Sequence, residues 1–335
     1  MMVTNIVLTD RSHMPGTPAE IMSFVNTHIC EHNDMDMFVA IWLGILELST
    51  GRITAANAGH EDAFICRGQG DFELFRTKHD FVVGGMPEAV RTWTDTHDYK
   101  AVEEVQDRIL KDYADDFGKH TMPDTAIKIK MIWDAIPSQI ARDNNKFIFS
   151  HVKQGARAKD LEDALACLVN AGIARKLNLV KTPEIPLSGM ADHTYFKVYM
   201  SDVGLLKKKS NINYRTILEG DAAYIHYKGA LTENYVYTQL ECMGIDCYFW
   251  RTKADAELDF ITDYEGVLLP VEVKSADNTK AKSLHLFCSR YKPKMAIKTS
   301  LKNVGDNMDG DTHVWSVPLY VLFRFKDYVF NEMGW

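Results

Sequence analysis

Three carboxylates and a lysine lie close together in the segment 255-DAELDFITDYEGVLLPVEVK-274. Its alternating apolar and polar residues predict two antiparallel strands joined by a short turn near Tyr264 and Glu265. A turn with an even number of residues would place four reactive side chains on one face of this hairpin: Glu257, Asp259, Glu272 and Lys274. The opposite face would be apolar and face the core: Leu258, Phe260, Val271 and Val273.

This arrangement suits a divalent cation. Carboxylate oxygens bind Mg²⁺ or Mn²⁺, which can in turn bind a phosphate oxygen and a water, and a neighbouring lysine can orient or activate that water. The predicted metal ligands are Asp259, Glu272 and Glu257, and the predicted reaction is phosphodiester hydrolysis. The alternative is an exposed polar face on which Lys274 only neutralises its acidic neighbours, at about 1 kcal/mol or less per ion pair. The spacing alone leaves both interpretations open.

The segment that follows is basic. Between Lys274 and Lys302 there are eight lysines and arginines and one acid, Asp277. Such a bias suits a polyanion such as DNA, and four of these lysines are candidate phosphate contacts: Lys280, Lys282, Lys292 and Lys294. The alternative is an ordinary solvated helix and loop surface.

The predicted secondary structure that must position these residues changes twice along the chain. Residues 1–86 are β-rich, with apolar runs separated by turn residues. Residues 87–181 contain amphipathic helices and then the element order of a winged helix, which could contact DNA or another protein. Residues 182–335 alternate helix and strand. The predicted fold class is mixed α/β, with three domains at these boundaries.

Several local assignments can be checked against a structure. Val82 and Val83 are predicted to end a strand before the Gly84-Gly85 turn, with a helix starting near Pro87. The segment KFIFSHV, residues 146–152, is predicted as a short strand, and GALTENYVYTQLECMG as a helix over 229–244.

Composition excludes several classes of protein. The chain of 335 residues has 46% hydrophobic and 25% charged residues, as soluble globular proteins do, and a net charge of -8. No run of about 18 apolar residues predicts a membrane span, and no secretory signal is recognisable, so a cytoplasmic location is expected. The six cysteines form no C-x-x-C pair, which argues against a zinc site or a disulfide framework.

The order of the acidic residues and the lysine also resembles a known sequence pattern. A helix-borne acid, then Asp, then Glu-x-Lys is the pattern of the PD-(D/E)xK restriction-endonuclease-like fold, and Glu233 in GALTENYVYTQL resembles the helix-borne acid. Residues from about 83 to 330 resemble the C-terminal portion of a prokaryotic family of AAA-type ATPases that ends in a domain of unknown function with this fold. The resemblance rests on stretches such as VGGMPEAV, IWDAIPSQIARDNNKFIFSHV, AELDFITD and LPVEVKSADNTKAKSL. It implies a catalytic set of Glu233, Asp259, Glu272 and Lys274. The ATPase phosphate-binding loop G-x-x-x-x-G-K-[ST] does not occur, so ATP is not expected as a cofactor.

A second resemblance covers residues from about 15 to 86. The block MFVAIWLGILELSTGRITAANAGH is similar to the middle of the stage II sporulation protein E type of metal-dependent serine/threonine phosphatase. That family holds its metals through a Gly-Asp-x-x-Gly-His-Gly type motif and a Thr-Asp-Gly motif, and neither is present. Without these aspartates, phosphatase activity is not expected, and His60 is interpreted as structural.

The chain therefore resembles a fusion of two incomplete parts that meet between Val82 and Val90. Two functions follow from different classes. One is a nuclease-like tail that binds or cuts DNA with Mg²⁺ or Mn²⁺. The other is a non-catalytic scaffold for a protein partner or a second copy of the chain. No membrane partner is expected.

Overall fold

A computed structural model describes residues 20–21, 24, 41–47, 52–58, 64–66, 72–74, 80–119, 121–142, 146–219, 225–252, 256–275, 281–300 and 305–326. They belong to two compact units, Met1–Thr77 and Lys78–Trp335. Within these ranges, no helix is long and apolar enough to cross a membrane. The fold class is mixed α/β, as predicted.

The first unit contains two antiparallel hairpins among its described residues. Strand β1 (Ile41–Glu47) pairs with β2 (Arg52–Ala58), and β3 (Phe64–Cys66) pairs with β4 (Phe72–Leu74). The predicted β-rich character of this region is confirmed for these strands. His60 lies outside the described residues.

The second unit begins with helices and ends with a sheet. Its helices are α1 (Asp80–Val83), α2 (Pro87–Thr96), α3 (Tyr99–Asp116), α4 (Pro123–Ile140), α5 (Phe149–Val152), α6 (Ala158–Asn170), α7 (Val203–Lys209), α8 (Tyr214–Glu219), α9 (Ile225–Cys242) and α10 (Lys282–Tyr291). Its strands are β5 (Ala174–Val180), β6 (Ala191–Met200), β7 (Tyr248–Arg251), β8 (Glu257–Thr262), β9 (Leu269–Val273), β10 (Met295–Ser300), β11 (Gly305–Asp309) and β12 (Thr312–Pro318). Short 3-10 turns lie at Leu187–Met190, Tyr264–Gly266 and Leu319–Arg324.

The eight strands of this unit form one sheet in the order β11-β12-β10-β9-β8-β7-β5-β6. Strand β10 runs parallel to β9 and β12, and β5 runs parallel to β7, whereas the other neighbouring pairs are antiparallel. The predicted domain boundary between residues 181 and 182 falls between β5 and β6, which pair directly in this sheet. The division into three domains, and the winged helix within it, stay predictions.

Helices cover the sheet with the apolar faces that their periodicity predicts. Helix α4 buries Ile129, Ile132, Trp133 and Ile136 in the largest of three core clusters among the described residues. Helix α10 buries Leu284 and Phe287 in the second-largest cluster, against Trp250 of β7. Residues spaced at 3 and 4 along a helix share one face, so these patterns can be read from sequence.

Residues Asp80–Val83 form a helical turn rather than a strand, so the predicted strand ending at Val82 and Val83 is wrong. Both valines are buried, and their carbonyl oxygens accept hydrogen bonds from the Gln106 side-chain amide at 2.8 and 2.9 Å. A short apolar run cannot by itself distinguish a buried helical turn from a strand. The predicted helix from Pro87 is confirmed as α2.

Gly84 is required at this junction. Its φ is +72°, and a Cβ there would lie 2.5 Å from Oδ1 of Asp202. Asp202 accepts hydrogen bonds from the backbone amides of Gly85, at 2.5 Å, and Leu205, at 2.7 Å. The Gly-Gly pair therefore lets the chain turn closely around a buried carboxylate.

The segment 146–152 is also not a strand. Lys146 forms an isolated bridge with Lys197, and Phe149–Val152 is the single helical turn α5. Phe147 and Phe149 pack their rings against Phe196 of β6, at centroid distances of 5.8 and 6.1 Å. Tertiary packing of these aromatic side chains overrides the strand propensity of the run.

Candidate active site

The hairpin of β8 and β9 is present, with a longer turn than predicted. Phe260 pairs with Val271, and Thr262 pairs with Leu269. The connection between Thr262 and Leu269 has an even number of residues, as the prediction requires, so the parity of the pairing is retained. The backbone amide of Val273 donates to Oδ2 of Asp259 at 2.7 Å, which fixes this carboxylate beside the end of β9.

The predicted apolar face of the hairpin is wrong in one respect. Phe260, Val271 and Val273 belong to the largest core cluster, but Leu258 packs with Trp250 in the second-largest one. The cause is a register shift between β7 and β8, where Trp250 pairs with Leu258 but Tyr248 pairs with Ile261. Such a bulge inserts an extra residue into one strand and reverses the inward and outward alternation around Asp259.

Glu272 and Lys274 form a close pair at the end of β9. Lys274 Nζ lies 2.5 Å from Oε1 of Glu272. Glu272 is only 3% exposed, and its second oxygen, Oε2, is buried with no hydrogen-bond partner among the described residues. Buried carboxylate oxygens are normally hydrogen-bonded, so an orphan oxygen indicates a missing ligand or a stored electrostatic cost.

Glu233 reaches the same cluster from helix α9. The hydroxyl of Tyr199, on β6, donates to Oε2 of Glu233 at 2.8 Å. Glu233 also raises the pKa values of Asp259 and Glu272 through its negative charge, so the three carboxylates are electrostatically close. The structure therefore brings together Glu233 and the hairpin residues that the sequence singled out.

Sequence reasoning missed one central residue, Lys197 on β6. Its Nζ lies 2.6 Å from Oε1 of Glu257 and 3.7 Å from Oε2 of Glu233, and the residue is 1% exposed. The sequence feature that could have predicted this role is the segment TYFKVYM, in which a lysine interrupts an otherwise apolar strand. A lysine is rarely fully buried unless it is paired, so such a position indicates a buried acid nearby.

The pKa values show that acids outnumber cations at this site. Burial raises the pKa of Asp259 well above its usual range, and Glu272 and Glu233 raise it further, against the opposing effects of Lys197 and the Val273 amide. Burial also raises the pKa of Glu272, although Lys274 opposes this. Protons held by such carboxylates are replaced readily by a bound cation.

Asp259 and Glu272 fit a Mg²⁺ or Mn²⁺ ion by donor type and by the orphan Glu272 oxygen. Mg²⁺ keeps several waters and is often held by one or two carboxylates together with substrate phosphates. Across the described ranges, no group of three or more His, Cys, Asp or Glu side chains converges as a metal centre. Glu257 is instead paired with Lys197, so its predicted role as a third metal ligand stays a prediction.

The three predicted phosphate-binding lysines that the structure describes lie at the two ends of helix α10. Lys280 lies outside the described residues, and Lys282 begins α10. Lys292 caps the other end of this ten-residue helix and Lys294 follows it, about 15 Å from Lys282 by the rise of a helix. Lys282, Lys292 and Lys294 are all exposed.

Comparison with protein families divides the chain into matched parts. Residues 1–110 match Stage II sporulation protein E (SpoIIE), residues 76–216 match Domain of unknown function (DUF8612), and residues 228–320 match Domain of unknown function (DUF4143). The first two matches overlap over residues 76–110, which includes the Gly84-Gly85 junction.

Curated relatives match only short segments. Protein IcfG of Synechocystis sp. is 36% identical over 62 residues, which are 18% of this chain and 10% of that protein. Uncharacterized proteins of Mycobacterium tuberculosis and Mycobacterium bovis are each 32% identical over 112 residues, 33% of this chain and 24% of theirs. The chain thus spans a quarter or less of these relatives. No solved structure gives a significant match. The chain is a multidomain protein that joins a part similar to stage II sporulation protein E to a part that matches DUF4143.

Proposed function

We propose that the part of the chain containing β8, β9 and α9 hydrolyses phosphodiester bonds in DNA with the help of one divalent cation. The observation that carries this proposal is the buried Glu272, which lies beside Lys274 near the half-buried Asp259 and has one oxygen without a partner among the described residues. Carboxylates whose pKa values are raised by burial and by one another are typical of functional sites.

Each side chain has a distinct role in this proposal. Asp259, oriented by the Val273 amide, and Glu272 would hold Mg²⁺ or Mn²⁺. That ion, when bound, would polarise a phosphate oxygen and lower the pKa of a water molecule. Lys274, whose pKa is raised because Glu272 outweighs the effect of burial, stays protonated and would orient the attacking water and stabilise developing negative charge. Glu233, oriented by the hydroxyl of Tyr199, would add a third negative charge beside the metal-binding carboxylates.

A specific observation also favours a second function, that of a non-catalytic scaffold. Lys197 already neutralises Glu257 and lies within 3.7 Å of Glu233, so the protein holds part of its acidic cluster without any metal. In this alternative the cluster is a buried ion-pair network, and the fold serves a protein partner or a second copy of the chain. Buried networks of this kind can specify a fold rather than stabilise it.

The test separates the two functions with the full chain. Calorimetry should detect Mg²⁺ or Mn²⁺ binding that disappears in Asp259→Asn, a change that keeps the side-chain shape. Lys274→Ala should abolish Mg²⁺-dependent DNA cleavage while leaving DNA binding nearly intact. The matched control is Lys282→Ala, which should leave cleavage chemistry intact and at most weaken binding, with a salt slope lower by about one unit for each phosphate that the variant no longer binds.

Absence of both binding and cleavage on duplex, branched and single-stranded DNA, with either metal present, would contradict the nuclease proposal and leave the scaffold. Equal metal titration curves for wild type and Asp259→Asn would show that Asp259 is not a metal ligand. ATP hydrolysis and phosphoserine hydrolysis are not expected in either case.

A further inference from the structure

The carboxylate cluster consists of Glu233, Glu257, Asp259 and Glu272, and it divides into two halves that have different partners. In the first half, Glu257 contacts the Lys197 ammonium at 2.6 Å and the Arg251 guanidinium at 3.8 Å. Glu233 accepts the Tyr199 hydroxyl at 2.8 Å and lies 3.7 Å from Lys197. Every acid of this half therefore already faces a buried cation.

The second half is different. Asp259 accepts a backbone hydrogen bond from Val273, and among the described residues no lysine, arginine or histidine lies within ion-pair distance of it. Glu272 pairs with Lys274 through Oε1 only, and its Oε2 is buried without a partner among those residues. An orphan oxygen on a side chain that is 3% exposed is an independent sign that a ligand belongs in this half.

Lys197 cannot easily leave the first half. Its backbone lies in the interior of β6, the side chain is 2% exposed, and the ammonium also lies 5.0 Å from the centroid of the Phe249 ring. A second divalent ion in a two-metal site would lie only about 3.5–4 Å from the first. It would have to take the Glu257 oxygen from Lys197 and then remain beside a buried positive charge.

We infer that Lys197 is a positioning residue that acts as a built-in cation and limits the cluster to one divalent ion. Its ammonium takes the place of a second ion between Glu233 and Glu257, and it leaves Asp259 and Glu272 for the first. This inference rests on the proposed function. It assigns the site to one-ion phosphodiester chemistry, in which Lys274 does part of what a second metal would do.

The experiment counts Mn²⁺ ions bound to the full chain by equilibrium dialysis, with circular dichroism to show that each variant is folded. Wild type should bind one ion, and Asp259→Asn should bind none. Lys197→Met should bind two, and Lys197→Met combined with Asp259→Asn should keep one, held by Glu233 and Glu257. The matched control is Lys207→Met, which removes an equally buried lysine from a different acid and should leave the count at one.

Two cluster ions in wild type, or no more ions in Lys197→Met than in wild type, would overturn the inference, and Lys197→Gln gives the same comparison if the methionine variant does not fold. If wild type binds none but Lys197→Met binds one that persists in the Asp259→Asn background, the proposed function fails and the inference stands. If neither wild type nor Lys197→Met binds an ion, both fail.

Discussion

Two fully buried lysines of the second unit differ in the environment that surrounds them. Lys197 lies in the carboxylate cluster, where burial disfavours its charge but Glu233, Glu257 and Asp259 outweigh burial and raise its pKa. Lys207 lies between helices α3 and α7, 3.0 Å from Glu103, and there burial dominates and lowers its pKa. The same side chain at the same depth is therefore stabilised in its charged form at one place and disfavoured at the other.

The cause is the local ratio of acids to cations. Around Lys207, two carboxylates face two ammonium groups, because Lys208 lies 4.0 Å from Glu103 and 2.9 Å from Asp107. Around Lys197, the four carboxylates Glu233, Glu257, Asp259 and Glu272 face three cations, Lys197, Arg251 and Lys274, and the surplus of acids appears as raised pKa values on Asp259 and Glu272. A locally balanced pair that joins two helices is structural, whereas a surplus of buried charge is the usual sign of a site prepared for a ligand.

The largest effect is expected when the cluster loses its internal cation. Lys197→Met, without added metal, should lower the free energy of unfolding by about 2–3 kcal/mol, because it leaves the half-buried Glu257 and Glu233 without their ammonium, at less than the cost of a fully buried charge. Urea unfolding of the full chain in the presence of a chelator measures this. A decrease of less than about 1 kcal/mol in the free energy of unfolding would show that solvent, rather than Lys197, compensates the charges of these acids.

An effect of opposite sign is expected at Asp259. Asp259→Asn keeps the acceptor for the Val273 amide but removes a charge that the fold disfavours, so the metal-free protein should become more stable at pH 7. Urea unfolding in the presence of a chelator again gives the value. Unchanged or lower stability would mean that the ionised carboxylate is not costly there.

The same variant tests the pH dependence. Since the pKa of Asp259 is raised in the fold above its ordinary 3.8, the folded protein binds more protons, and wild-type stability should fall as pH rises from about 4 toward the raised value. This part of the decline should be absent in Asp259→Asn. Stability that rises with pH over this window in the wild type, relative to Asp259→Asn, would contradict the assigned direction.

The smallest effect is expected at Lys207. Lys207→Met should change the free energy of unfolding by less than about 1 kcal/mol, because Glu103 keeps Lys208 and still accepts the Tyr214 amide at 3.1 Å. The same urea experiment measures it. A cost equal to that of Lys197→Met would remove the distinction between the two lysines.

Much of the secondary structure can be predicted from sequence. The helix at Ile225–Cys242 and the strands β7, β8 and β9 follow directly from periodicity and turn residues. The sequence wrongly predicts strands for the valines at the Gly-Gly junction and for the segment 146–152, because a short apolar run carries no period. Their helical form depends on distant partners, Gln106 and Phe196.

The sequence by itself determined which residues of one hairpin could do chemistry, because spacing of two along a strand fixes which side chains are neighbours. Only the tertiary structure decided that Lys197, from a strand about 60 residues earlier, lies among them, and that a bulge turns Leu258 away from Phe260. The balance of acids and cations in a site depends on elements that are distant along the chain, so no local sequence pattern predicts it. The raised pKa values of Asp259 and Glu272 follow only from the packing of β6, β8, β9 and α9 against one another.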